Sequence, residues 1–172
     1  MIALNLGSSG SRIPDDYCGE GWEQINVDLV PPADVICDVR HLEFDTDSVD
    51  LVYASHLLEH FHEHELFAVL REWRRVLKSG GKLIVRVPDI QAACKLAAEQ
   101  GIEAIAYQSA IGPIRVLDML YGYQQMVLQS DLMAHKCGFD HPKLGRSVVK
   151  AGFAKATVMV LNEYELVCEA IK

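Results

Sequence analysis

The first apolar run of the chain, Ala3-Leu4-Asn5-Leu6, breaks into the small-residue stretch Gly7-Ser8-Ser9-Gly10-Ser11. Short apolar runs bounded by turn residues predict buried strands. Four more follow, at 25–29, 34–39, 49–54 and 82–87. Pro31 and Pro32 stop the second, and Asp45-Thr46-Asp47-Ser48 is a turn cluster ahead of the fourth. Runs this apolar suit a parallel sheet buried on both faces. Between 55 and 77 the period changes. Leu66, Val69, Leu70, Trp73, Val76 and Leu77 recur at three- and four-residue spacing, which predicts a helix with one apolar face. Arg71, Arg74, Arg75 and Lys78 load its C-terminal end, and Gly80-Gly81 is its stop. Residues 90–133 read as mostly helical, interrupted at Gly112-Pro113 and resuming near 114–120. Asp140-His141-Pro142 opens another helix to about Ala151, stopped by Gly152. Residues 156–161 and 165–171 then alternate around Asn162-Glu163, a hairpin signal. The sum is an α/β domain with a largely parallel sheet, whose ligand would sit beyond the carboxyl ends of the strands.

The first crossover is unusual. Residues 12–23 carry Pro14, Asp15, Asp16, Gly19 and Gly21, so a loop with a turn or two is expected where a parallel pair normally places a full helix. The turn before it and the acid after it have chemical meaning together. Small residues let backbone amides approach a ligand, and Asp28, at the tip of the second strand, can accept two hydrogen bonds from a ribose diol. A capping or turn acid is the alternative to that role for Asp28, and Asp38 is balanced between a binding and a capping role.

Composition narrows the function classes. A chain of 172 residues is one domain, 1–172, with a real core. Its formal charge of −8 offers no footprint for nucleic acid or an acidic membrane surface. No apolar run is long enough to span a membrane, and no basic leader precedes the first strand. The five cysteines are scattered, without Cys-x-x-Cys spacing, and read as reduced thiols in a cytoplasmic protein.

The motifs, taken in order, resemble class I S-adenosylmethionine-dependent methyltransferases of the methyltransferase type 11-like family. The carrying text is Leu4-Asn5-Leu6-Gly7-Ser8-Ser9-Gly10, Asn26-Val27-Asp28, Asp38 to Phe44, Val49 to His60, and Leu70 to Gly81. His135 to Phe139 and Ala151-Gly152-Phe153 extend it over nearly the whole chain. The resemblance implies a Rossmann-like doubly wound, mostly parallel seven-stranded sheet with a C-terminal antiparallel hairpin, and here a shortened first crossover helix. It implies S-adenosylmethionine as cofactor. Gly7 and Ser8 would line its methionine end, Asp28 would hold the ribose hydroxyls, and Leu29 would flank the adenine. Asp38, with the Val39 amide nearby, would face the adenine amino group, and Ser55 and His56 would close the site. Asn5 stands where the family usually has an acid that helps place the cofactor's ammonium group, and Ser9 where a second glycine is usual. Residues 90–141 would form a helical cover over a small-molecule acceptor, with a hint of sugar or polysaccharide chemistry. The sequence leaves a homodimer open.

His56-Leu57-Leu58-Glu59-His60 also matches the His-x-x-Glu-His pattern of inverted zinc peptidases, with His62 and His64 close by. The methyltransferase order accounts for the segment, so no metal is expected; His62 to Glu65 reads as a solvated helix start. His56 is the candidate general base, since histidine titrates in the right range, and His135 and Tyr123 are candidates for the acceptor pocket. A second reading stays open, in which the altered glycine loop marks a non-catalytic binding or regulatory module.

Overall fold

The computed structural model describes all 172 residues. The chain starts as β1 (Ile2–Leu6), and β2 (Glu23–Asp28) follows with no helix between them. A two-residue β3 (Val35–Ile36) and then β4 (Val49–Ser55) complete the N-terminal half. A 3-10 turn (Leu58–His60) leads to α1 (Leu66–Val76), which runs straight into β5 (Leu77–Pro88). The middle segment holds α2 (Ile90–Gln100), β6 (Ile105–Ser109), β7 (Gly112–Arg115), α3 (Val116–Tyr121) and α4 (Gln124–Val127). The chain closes with α5 (His141–Lys150), β8 (Lys155–Asn162) and β9 (Glu165–Ile171).

Seven strands form one sheet in the order β3-β2-β1-β4-β5-β9-β8. The first five are mutually parallel; β9 is antiparallel to both β5 and β8. This is the doubly wound α/β sheet with a terminal hairpin that the pattern predicts.

Alternation along each strand splits the core in two. Leu4, Leu6, Val52, Ala54, Leu83, Val85 and Cys168 face α1 and α5, where Leu66, Leu70, Trp73, Leu144 and Val148 meet them. Ala3, Leu51, Tyr53, Ile84 and Val167 face the other way. No helix covers them. Ile13 and Cys18 of the first crossover are buried there instead, with Tyr17 and Trp22 packed alongside. A loop thus does the burying that a crossover helix usually does, which it manages because its apolar residues fall at the positions that touch the sheet.

The pattern misplaces two features. Residues 105–115 are not helical: β6 and β7 pair as a separate two-stranded hairpin, so the segment 90–141 is mixed rather than helical. Most of that hairpin's strand residues are exposed or half-buried, so they carry no strand-like alternation to read. The helix expected from 55 to 77 also begins only at Leu66, and it ends before Gly80. Gly80, at φ +79°, instead shapes the irregularity between the Val49–Leu77 and Leu51–Lys82 pairs. Capping sets other boundaries well. Asp89 accepts from Gln91 N and Ala92 N at the start of α2, and Asp140 from Lys143 N at the start of α5.

Candidate active site

Two cavities open at the carboxyl ends of the parallel strands. The first is about 310 Å³ and lies against the β1 turn, the tip of β2 and the segment after β3. The second is about 330 Å³ and lies under the β6–β7 hairpin and α3. His56, His60 and Met133 line both, so the two spaces meet at the end of β4.

Gly7 and Ser9 line the first cavity, and both have left-handed backbones, φ +62° and +46°. Gly7 N donates to Val27 O at 2.9 Å, tying the turn to β2. A Cβ on Gly7 would come within 2.8 Å of Leu57 Cδ1, and its left-handed backbone favours glycine whatever the space. Asp28 also lines this cavity. Its Oδ2 accepts from Ser9 N at 3.1 Å and its Oδ1 from Leu29 N at 2.7 Å. Each oxygen keeps a lone pair for a diol. Leu29 and Val30 add an apolar rim.

Asp38 and Val39 line the same cavity, but the Asp38 carboxylate is committed to Arg40. Arg40 Nε and Nη2 donate to it in a fork (2.6–3.0 Å), and Arg40 N donates to Oδ1 at 2.9 Å. Those hydrogen bonds hold the Asp38 carboxyl below the usual range despite partial burial. Arg40 also reaches Glu65 at 3.1 Å. An adenine amino group would therefore meet Asp38 only if Arg40 swings away. Behind this wall, the buried Trp73 donates Nε1–H to Val39 O at 3.0 Å and fixes the segment.

Three expected residues lie off the cavity. Asn5 shares a strand face with Ala3, away from the site, and its Nδ2 donates to Ser11 O (2.8 Å) and Asn26 Oδ1 (3.1 Å). It braces the turn from behind. Ser8 is buried, and its Oγ accepts from Gly10 N at 3.3 Å. Ser55 ends β4 without lining either cavity.

His56 follows β4 in a left-handed conformation, φ +51°, an arrangement that costs a non-glycine residue on the order of 1 kcal/mol and concentrates at functional sites. Its Nε2 donates to Glu165 Oε1 at 3.1 Å. Glu165 also receives the Arg86 fork (2.9 and 2.8 Å) and Asn162 Nδ2 (3.0 Å), and Arg86 donates on to Tyr53 Oη at 3.1 Å. Burial alone would lower the His56 pKa; the Glu165 and Glu59 carboxylates outweigh it and push it up to about 10. Glu165 is held at about 2 by His56 and Arg86 against the opposing effect of burial. An imidazolium has no lone pair for a proton, so in its charged form His56 is a donor and not the general base anticipated from its residue type. Arg86 and Glu165 escape sequence reasoning because a lone charge in or beside an apolar strand carries no spacing signal.

On the other side of His56 lies Glu59, 1% exposed. Burial works to raise its carboxyl, and the surrounding His56, His135 and His60 rings hold it below the usual range. Burial pushes His135 down. His135 and Tyr123 both line the second cavity, with Tyr107, Ile114 and Met119.

A parallel sheet reversed only at its final hairpin, with a glycine turn and an acid at its carboxyl edge, is the fold of solved S-adenosylmethionine-dependent methyltransferases. The family described as a methyltransferase domain has a model that matches residues 5–85, a little under half of the chain. The fold is shared with Burkholderia thailandensis 1,6-didemethyltoxoflavin-N1-methyltransferase, solved with 1,6-didemethyltoxoflavin and S-adenosylhomocysteine. That match has a TM-score of 0.64 and 16% identity, covering 99% of this chain and 70% of that one. S-adenosylmethionine-dependent methyltransferases from Archaeoglobus fulgidus (TM-score 0.63, 14% identity, 99% and 86% covered) and Aquifex aeolicus (0.62, 13%, 99% and 81%) are similar as well. No curated protein sequence matches the chain.

Proposed function

We propose that this protein transfers a methyl group from S-adenosylmethionine to a small-molecule acceptor held in the second cavity. The observation that carries the reading is Asp28. Its carboxylate is oriented by two backbone amides and lies at the mouth of a cavity that the left-handed Gly7 turn opens. The cofactor supplies an electrophilic methyl group on a sulfonium. The chain supplies orientation, which alone can account for much of a methyl-transfer rate. Asp28 would hold the ribose, Gly7 and Ser9 would admit the methionine end, and Leu29 and Val39 would flank the base. His56 stands where the cavities meet and would place its positive charge, held between Glu165 and Glu59, beside the acceptor. Tyr107, Ile111, Ile114, Met119 and Met126 support an acceptor with an apolar face. A sugar-related acceptor rests on family resemblance alone. Five free cysteines fit a reducing, cytoplasmic setting, and no helix is long and apolar enough to cross a membrane.

The other reading, a non-catalytic module, is favoured by one feature: the Asp38–Arg40 fork fills the hydrogen-bonding capacity expected to meet the adenine. Thermal unfolding with S-adenosylhomocysteine separates the two. A ligand that binds only the native state at ~100-fold over Kd stabilises by about 2.7 kcal/mol, or about 5–10 °C for a chain this size. A shift of that order is expected, and no shift at millimolar ligand would favour the module.

A further inference from the structure

Both Glu59 carboxylate oxygens are buried and lack any hydrogen-bond partner. A buried carboxylate without a donor is costly, and in a folded protein it calls for a counter-group. His56 Nδ1 stands 3.4 Å from Glu59 Oε1 without hydrogen-bonding to it. His135 Nε2 lies 4.0 Å from the same oxygen. His60 completes the group: one donor atom from each of Glu59, His60 and His135 falls within 4.8 Å of the other two.

The two histidines are prepared as ligands. His60 Nδ1 is 3.1 Å from Ala134 O and His135 Nδ1 is 2.8 Å from Met119 O. A carbonyl only accepts, so each Nδ1 carries the proton, which leaves Nε2 as the ligating nitrogen of the neutral ring. This backbone tether is what fixes the tautomer and orientation of metal-ligating histidines. The backbone holds the set together as well. Lys136 N and Cys137 N both donate to Glu59 O (2.9 and 3.2 Å), which pins the His135 segment onto the 3-10 turn.

We propose that Glu59, His60 and His135 bind a divalent first-row transition cation, with open coordination positions facing the second cavity. Two imidazoles and one carboxylate are the donor set such ions take at ~2.0–2.2 Å; drawing the three atoms onto one ion needs side-chain adjustments of about an ångström. His60 and His135 both line the second cavity, so an acceptor bearing a hydroxyl or carboxylate would reach the ion. That last point rests on the cavity being the acceptor site. It replaces the expectation of no metal, which weighed the His-x-x-Glu-His spacing without His135.

The test uses the full chain, stripped with a chelator and titrated with Co²⁺ alone. One Co²⁺ per chain with visible ligand-field absorption is expected. Glu59→Gln and His135→Ala should each weaken binding at least ~10-fold, with His135→Ala carrying the comparison if Glu59→Gln does not fold. His62→Ala/His64→Ala, which removes the exposed stacked pair, should leave the binding unchanged. Acetohydroxamate, a small oxygen chelator, should alter the Co²⁺ spectrum, and an unaltered spectrum would overturn the open positions. Binding lost only in the His62/His64 variant, or no ligand-field absorption, would overturn the site. Stabilisation by S-adenosylhomocysteine in the metal-free protein reports on the methyltransferase reading separately. A shift there without Co²⁺ binding sinks the cation alone; Co²⁺ binding without that shift upholds the cation and sinks the acceptor assignment.

Discussion

His56 stands between two carboxylates at the end of β4. Its left-handed backbone turns the ring between Glu165 and Glu59, and both carboxylates favour its charged form. The consequence for stability has a definite sign. The folded pKa of about 10 lies above the ordinary ~6.5, so the His56 contribution is complete below about pH 6.5 and is lost as pH rises toward 10. Glu165 runs the other way: at about 2, its contribution is present above ~4.5 and is lost only in strong acid. Thermal midpoints of the metal-free wild type should therefore fall between pH 7 and 10, and those of metal-free His56→Gln should fall less steeply. Parallel curves would contradict the account. The same residue shows where reading a sequence stops. Its place at the end of β4 is legible, and its charge state is not, because Glu165 comes from the far end of the chain.

At the scale of elements, α1 is the clearest feature in the sequence, since Leu66, Val69, Leu70, Trp73 and Val76 form one buried stripe. What the stripe conceals is a second job. Trp73 holds Val39 O, while Arg75 donates to Leu42 O (3.0 Å) and Phe44 O (2.9 Å), so the helix also carries the wall of the first cavity. Trp73→Phe removes the indole donor and leaves a void; by the usual scale for lost buried hydrogen bonds and partial cavities it should destabilise the chain by about 2–4 kcal/mol. Urea denaturation measures this, and cofactor affinity should weaken in parallel. A loss under about 0.5 kcal/mol would contradict the structural role. Strand parity explains the misassigned Asn5. Leu4 and Leu6 point to the helices, so Asn5 between them must point away, and alternation alone contains that fact.

Across the whole molecule, the sheet is covered by helices on one face and by the 12–22 loop on the other. The strand runs and the missing crossover helix could be read from composition. The packing of Ile13 from that loop onto the sheet could not, because a turn-rich stretch gives no periodicity to anchor it. Ile13→Ala should cost about 2–4 kcal/mol in chemical denaturation, the scale for a buried aliphatic side chain rather than a surface loop; a loss near zero would mean that the loop does not seal the sheet. The N-terminal turn and Asp28, by contrast, sit together as their spacing suggests, because β1 and β2 are adjacent parallel strands in register. The proposed function rests on that adjacency, and one measurement addresses it directly: isothermal titration of S-adenosylhomocysteine into the wild type and Asp28→Ala. Losing charge-assisted hydrogen bonds to the ribose should weaken binding by about 1–3 kcal/mol, roughly 5- to 150-fold. Equal affinity in the two proteins would contradict the assignment of the cofactor to this cavity.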